Sequence, residues 1–147
     1  MIINNIMTDT LDIPSLLKAL DNDNNENIME LDFDKIQKMK HNILSELGLP
    51  EDKYISIMKS LREYKYIDEI PDLDYGHYIR WISLKNPSNI KLTNGGTLCD
   101  IKVNEQVSLL CKNSANRFFQ IKMDQCIIFQ KLTEQEKIIL NVINYLK

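Results

Sequence analysis

Apolar residues in the first half of the chain recur at the spacing of an α-helix. The pattern predicts three helices, over about residues 13–20, 34–47 and 50–66. Gly48 and Pro50 stand between the second and third helices, where a helix end and a new start are expected. We therefore expect these two helices to pack as an antiparallel hairpin.

From Gly76 onward the pattern changes to short runs rich in β-forming residues. Five strands are predicted, over residues 77–84, 97–103, 107–112, 117–123 and 126–132. Such strands, joined by short links, are typical of a small five-stranded antiparallel barrel of the SH3-like, Sm-like or OB type.

Two details of the strand region were predicted from local pattern. Thr93-Asn94-Gly95-Gly96 is expected to form a tight turn, because Asn-Gly tolerates positive φ. In the strand that follows, Thr97, Cys99, Ile101 and Val103 are expected to share one face, and Asp100 and Lys102 the other.

The last element is a predicted helix over residues 134–146. Thr133-Glu134-Gln135-Glu136 has the pattern of a capping box, and a wide apolar stripe follows it. The predicted fold class is therefore α+β, with an acidic helical region in residues 1–75. A basic β-barrel with its C-terminal amphipathic helix occupies residues 76–147.

Charge is distributed unevenly along the chain. Residues 1–75 contain 8 Lys/Arg and 16 Asp/Glu, whereas residues 76–147 contain 10 and 5, which together give a net charge of −3. An asymmetry of this kind concerns partners and not the fold.

The basic strands predict a nucleic-acid interface. If Phe119, Ile121 and Met123 face the core, Phe118, Gln120 and Lys122 share the outer face of their strand. Cations there would neutralise phosphates and release counterions, and Phe118 would stack on a base. The predicted contacts are Arg80, Lys102, Lys112, Arg117, Phe118 and Lys122. A moderately basic, solvated surface would carry the same charges.

The acidic half supports a different interpretation. Its carboxylates would repel phosphate unless they point away, and they could instead dock a basic partner. The alternative function is therefore a protein–protein interaction module or a structural subunit, which uses the acidic helical half or an exposed sheet edge.

No catalytic pattern was found in the sequence. It lacks a Gly-rich phosphate loop, a nucleophile elbow, a His-Glu-x-x-His motif and cysteines at zinc spacing. His41 and His77 are isolated, so we expect them to be structural. We therefore expect no enzymatic activity, cofactor or metal.

One loop partly matches a calcium-binding loop. Asp21, Asp23, Asn25 and Asp32 occupy ligand positions, but Glu26 stands where the sharp turn needs glycine. A solvated acidic loop is the expected outcome.

Cysteine content and hydropathy predict the environment of the protein. Cys99, Cys111 and Cys126 are an odd number in apolar, strand-like runs, so reduced, buried thiols are expected. No apolar run is long enough to cross a membrane, and the N-terminus does not read as a signal peptide, so neither membrane association nor export is expected.

Several short phrases of the chain carry a resemblance. They are Gly76-His77-Tyr78-Ile79-Arg80-Trp81-Ile82, Lys91-Leu92-Thr93-Asn94-Gly95-Gly96, Cys111-Lys112-Asn113 and Ile128-Phe129-Gln130-Lys131-Leu132-Thr133. In these phrases the chain resembles small uncharacterised proteins of giant nucleocytoplasmic large DNA viruses of the mimivirus type. The resemblance implies a role near viral genome expression, replication or particle assembly, in the host cytoplasm (the viral factory) or the virion. It assigns no functional residue.

Overall fold

The computed structural model describes residues 13–22, 25, 28 and 31–146. These contain four α-helices and six β-strands, so the α+β class is confirmed. The helices are α1 (Ile13–Asp21), α2 (Phe33–Ser45), α3 (Glu51–Ser60) and α4 (Glu134–Leu146). The strands are β1 (Tyr64–Ile67), β2 (Tyr78–Ser83), β3 (Gly96–Val103), β4 (Val107–Lys112), β5 (Phe118–Lys122) and β6 (Cys126–Lys131).

The six strands form one open antiparallel sheet, in the order β1-β6-β2-β3-β4-β5. Strands β1 and β5 stand at opposite ends of this order and do not pair with each other. The predicted five-stranded barrel is therefore wrong, both in strand number and in closure.

The additional strand β1 comes from a segment predicted to be helical. Helix α3 ends at Ser60, and not at residue 66, and Tyr64–Ile67 pairs antiparallel with β6. The sequence pattern misled because Leu61 and Tyr64 continue the helical spacing. A four-residue strand has little pattern of its own and depends on its partner for its backbone hydrogen bonds.

Contacts divide the chain into two compact units. One contains the residues up to Met39 together with those from Leu132 onward, and the other contains residues 40–131. The change of charge between residues 75 and 76 falls inside the second unit.

The first unit contains α1, the beginning of α2, and α4. Its core consists of Ala19, Ile28, Ile36, Leu132, Ile139 and Leu140. The predicted capping box is confirmed: the Glu136 N–H donates to Thr133 Oγ1, and the Thr133 N–H donates to Glu136 Oε1, both at 3.0 Å. These reciprocal bonds define the start of α4.

The second unit contains the whole sheet, with an apolar cluster on each face of its central strands. The cluster that includes α3 consists of Leu44, Ile57, Leu61, Tyr64, Ile82, Ile90, Ile127 and Phe129. The opposite cluster consists of Ile67, Leu73, Ile79, Trp81, Leu98, Leu109, Cys111 and Ile128. Because neighbouring residues of β2 and β6 enter different clusters, both faces of these strands are buried.

A β-bulge in β3 changes the predicted inward face of that strand. Leu98 pairs with Cys111 and Asp100 pairs with Leu110, so Cys99 is left without a partner and the register shifts. Leu98 is fully buried and Ile101 packs against the same cluster, whereas Cys99 is exposed. The predicted face of Thr97, Cys99, Ile101 and Val103 is therefore wrong.

The three thiols are all free, but they occupy different environments. Cys111 is buried, Cys126 is half-buried and Cys99 is exposed, so the prediction of buried thiols fails for Cys99. Burial raises the pKa of the Cys111 thiol to about 12, with smaller contributions from Cys99 and Cys126.

Candidate nucleic-acid interface

One face of β3, β4 and β5 gathers most of the predicted nucleic-acid contacts. Residues that pair across antiparallel strands place their side chains on the same face. The register aligns three rows, which we call the outer face: Thr97, Lys112 and Phe118; Asp100, Leu110 and Gln120; Lys102, Ser108 and Lys122.

The two faces of these strands differ in burial. On the opposite face Leu109 and Cys111 are fully buried, and Ile121 packs against their cluster. On the outer face no residue is buried, and Lys102, Phe118, Gln120 and Lys122 are exposed. The outer face is therefore available to a ligand.

The aromatic ring of the outer face is accessible and lies beside a cation. Phe118 is 60% exposed, and Lys112 Nζ lies 5.8 Å from the centre of its ring. This distance is within the range of a cation–π contact. The arrangement offers a stacking surface next to a positive charge that can meet a phosphate.

The dimensions of the outer face suit a short stretch of single strand. Lys102 and Lys122 are separated by one intervening strand, so their backbones lie about 10 Å apart. From Phe118 to Lys122 the strand extends about 13 Å. Sheet platforms of this kind accommodate two or three bases in known RNA-binding folds.

A carboxylate near the centre of the outer face opposes phosphate binding. Asp100 lies between Thr97 and Lys102 on β3, and its Oδ1 accepts a hydrogen bond from the Ile101 N–H at 2.9 Å. The outer face thus carries three lysines and one carboxylate. The position of Asp100 on the outer face agrees with the sequence pattern, since alternation predicts that Asp100 and Lys102 point away from the core.

The two predicted arginines occupy different places. Arg80, on β2, is half-buried and donates from Nε to the Thr93 carbonyl at 2.8 Å and from Nη1 to the Ser60 carbonyl at 3.5 Å. These bonds give the Arg80 guanidinium a structural role. Arg117 is exposed in the turn before Phe118, where its N–H donates to Asn113 Oδ1 at 2.9 Å.

Sequence reasoning did not name Thr97, Ser108 and Leu110 as members of this site. Each is half-buried and becomes a neighbour of the lysines only through strand pairing. Alternation in β4 was a usable signal, since buried Leu109 and Cys111 leave Ser108, Leu110 and Lys112 on the other side.

The two histidines have different surroundings. His41 Nδ1 is 2.6 Å from the Tyr54 hydroxyl in an exposed position. His77 Nδ1 lies 3.7 Å from Asp74 Oδ2. Within residues 13–22, 25, 28 and 31–146, no group of three or more His, Cys, Asp or Glu side chains is placed to hold a metal ion.

Two members of the partial calcium loop have structural contacts. Asp32 is buried, and its Oδ1 accepts a hydrogen bond from the Lys35 N–H at 2.7 Å at the start of α2. Asn25 Nδ2 donates to the Ala19 carbonyl at 2.7 Å. Asp23 and Glu26 lie outside the described residues.

Comparison of the chain with protein-family models, with curated proteins and with solved structures found no match in any of the three. The resemblance to giant-virus proteins stays a prediction. In the described part of the chain, no helix combines the length and the apolar character that crossing a bilayer requires. The function has to be argued from the geometry of the outer face.

Proposed function

We propose that this protein is a non-catalytic nucleic-acid-binding accessory protein that takes part in viral genome expression or replication. The observation that carries the proposal is the outer face itself. It places an exposed aromatic ring, Phe118, beside Lys112 and on the same face as Lys102 and Lys122, on a sheet surface that the rest of its unit leaves uncovered. The viral setting comes from the sequence resemblance.

Binding would combine two physical contributions. Phosphates would displace water and counterions at the three lysines, which makes the affinity depend on salt. A base would stack on Phe118, and such stacking is worth about 1–3 kcal/mol. Gln120, next to this ring on the same face of β5, offers an amide that can both donate and accept hydrogen bonds.

Single strands fit this surface better than duplexes. Stacking on Phe118 requires a base whose face is free, and bases in a duplex are already stacked on each other. β5 stands at the end of the strand order, so a single strand could pass the ring without meeting another β-strand of the sheet. RNA and single-stranded DNA share the phosphate and base chemistry used here, and the experiment distinguishes them.

Fluorescence anisotropy with labelled single-stranded RNA, single-stranded DNA and duplex DNA at several salt concentrations tests the proposal. Three lysines and Arg117 predict a slope of about −2 to −3 in the log–log salt plot for a single strand. Each of Lys102→Gln, Lys112→Gln and Lys122→Gln should make the slope less negative by about 0.7.

Lys59→Gln is the matched control, because Lys59 is exposed on α3 and outside the outer face. It should leave the salt slope unchanged. The proposal is wrong if no nucleic acid binds at low salt, or if the triple variant retains the slope of the unmodified protein.

A protein-interaction module is the second candidate. The observation that favours it is a cleft in the second unit. Carboxylates line this cleft, whereas the outer face carries mainly lysines.

A further inference from the structure

A cleft in the second unit has a volume of about 920 Å³. Its walls come from the end of α2, from β1 and the residues after it, from the residue after β2, from the turn between β3 and β4, and from the connection between β5 and β6. This volume lies at the upper end of the range that ligand sites usually occupy.

The interior of the cleft is mostly apolar. Leu47, Ile70, Leu84, Val107 and Met123 contribute to its walls. Leu84 is 38% exposed, so part of this apolar surface is in contact with solvent. Removing such apolar surface from water lowers the free energy by about 25 cal/mol per Å².

All of the charged residues that line the cleft are acidic. Five exposed carboxylates line it and no lysine or arginine does; the carboxylates are Glu46, Asp68, Glu69, Glu105 and Asp124. Within the described part of the chain, none of the five forms an ion pair with a lysine or arginine. Lys85, a nearby cation, lines a smaller pocket of about 250 Å³ that shares Cys126 with the cleft.

The carboxylates affect the hydrogen bonding and the pKa of Tyr66, the one tyrosine that lines the cleft. The Tyr66 hydroxyl donates to Asp68 Oδ1 at 3.2 Å. Burial raises the pKa of Tyr66, and the charges of Asp68 and Glu46 raise it further. Negative potential therefore reaches into the cleft from two of its walls.

We propose that this cleft binds a segment of a partner protein in which apolar side chains are flanked by lysines or arginines. The apolar walls would take the apolar side chains, and the five carboxylates would meet the cations. The undescribed residues 1–12 of this chain contain two aspartates and no lysine or arginine, so they lack the complementary charge. A nucleic acid would be repelled, which makes this site independent of the outer face.

The test uses fluorescence anisotropy with a labelled synthetic helical peptide made of leucine and lysine. A peptide with glutamate in place of lysine is the charge control. The full-length protein should bind the Leu/Lys peptide saturably with one peptide per chain, and it should not bind the Leu/Glu peptide.

Two double variants with the same change in net charge locate the site. Glu105→Gln with Asp124→Asn should weaken Leu/Lys peptide binding by about fivefold. Glu51→Gln with Asp52→Asn removes two exposed carboxylates from the first turn of α3, outside the cleft, and should change the affinity by less than about twofold. Equal weakening by both pairs would overturn the proposal, because it would show non-specific attraction.

A chemical footprint provides a second measurement. Cys126 lines the cleft and Cys111 is fully buried, so in a Cys99→Ser variant Cys126 is the more accessible thiol. The Leu/Lys peptide should slow modification of Cys126 by a thiol reagent. An unchanged rate at saturating peptide would mean that the peptide binds elsewhere, and the proposal would be wrong.

Sedimentation of the protein without peptide tests the competing occupant, a second copy of this chain. The proposal predicts no association that depends on the cleft. A dimer abolished by Glu105→Gln with Asp124→Asn would assign the cleft to self-association and overturn the proposal.

Discussion

The Lys112 ammonium lies 5.8 Å from the centre of the Phe118 ring, on a face of the sheet where that ring is 60% exposed. The two residues are direct partners in the pairing of β4 with β5, so strand register alone brings them together. A cation and a ring held side by side can meet the phosphate and the base of one nucleotide.

Replacing Phe118 and Lys122 together should weaken nucleic-acid binding without unfolding the protein. Phe118→Ala removes the stacking surface, worth about 1–3 kcal/mol of binding free energy. Lys122→Ala removes one phosphate contact from the same strand. Both side chains are exposed, so the melting temperature should stay nearly unchanged. Anisotropy and thermal unfolding measure the two effects.

The matched control is Phe119→Ala combined with Lys59→Ala. Phe119 pairs with Cys111 and so points to the opposite face of β5, and Lys59 lies on α3. This variant removes the same residue types and should bind nucleic acid normally. A large loss of stability in the Phe118 variant would instead identify that ring as part of the core.

Asp100→Asn should strengthen nucleic-acid binding. The substitution removes the carboxylate that opposes phosphate on the outer face, while the asparagine Oδ1 can still accept the Ile101 N–H bond. A gain of about twofold to fivefold is expected at low salt, and it should shrink as salt rises. Unchanged or weaker binding would show that the nucleic acid does not pass over Asp100.

Gln130 is predicted to contribute strongly to stability. It is fully buried, accepts a hydrogen bond from the Asp74 N–H at 2.9 Å and donates to Asp74 Oδ2 at 3.2 Å. Gln130→Met keeps a similar shape but leaves these groups unsatisfied, at a cost of about 2–4 kcal/mol. Urea unfolding measures this loss of stability. The control is Gln120→Met at an exposed position, which should change the free energy of unfolding by less than about 0.5 kcal/mol.

Substitution is predicted to cost more at Gly95 than at Gly48, although both glycines have positive φ. Gly48 has φ +61° and nothing within 4 Å of an added Cβ, whereas Gly95 has φ +86° and its Cβ would lie 2.1 Å from the Ile79 carbonyl oxygen. Gly48→Ala should cost about 1–2 kcal/mol, from backbone strain alone. Gly95→Ala should lower the free energy of unfolding clearly more than Gly48→Ala in the same urea unfolding measurement. Equal losses would contradict the close contact between Gly95 and the Ile79 carbonyl oxygen.

Because of Lys40, the free energy of unfolding should change with pH in the alkaline range. Its Nζ donates to the Leu61 carbonyl at 2.8 Å in a site where the residue is 1% exposed, and burial lowers its pKa below 10.5. The unfolded chain therefore holds this proton more tightly, so the free energy of unfolding should rise with pH between the lowered pKa and 10.5. At pH below the lowered pKa this contribution is absent.

Lys40→Met should remove that rise, because methionine does not titrate. The measurement is the difference in unfolding free energy between the unmodified protein and this variant, followed from neutral to alkaline pH. The difference should grow in favour of the unmodified protein as pH increases. A constant difference for Lys40→Met would contradict the prediction.

Several elements were predicted closely because their signals are local. The capping box and apolar stripe placed α4 at residues 134–146, and alternation and turns placed β4 at residues 107–112. The exposed face of Phe118, Gln120 and Lys122 also followed from alternation within five residues.

Other features depended on partners distant in the chain. Strand β1 exists because β6 pairs with it, and Cys99 is exposed because the bulge in β3 fits the register of β4. Lys40 and Gln130 are buried because carbonyl and amide groups 21 and 56 residues away satisfy their polar atoms. Sequence reasoning placed no such residue in the interior.

The sequence by itself determined the α+β class, most strand positions, the last helix and the basic character of the strands, since propensity, alternation and capping act between near neighbours. The tertiary structure decided that the sheet stays open, that Lys102, Lys112 and Lys122 share one face with Phe118, and that the Arg80 guanidinium donates to the Thr93 and Ser60 carbonyls. It also assembled the acidic cleft from five separate segments. Strand order and register arise from long-range pairing, which a single sequence does not encode in any local pattern.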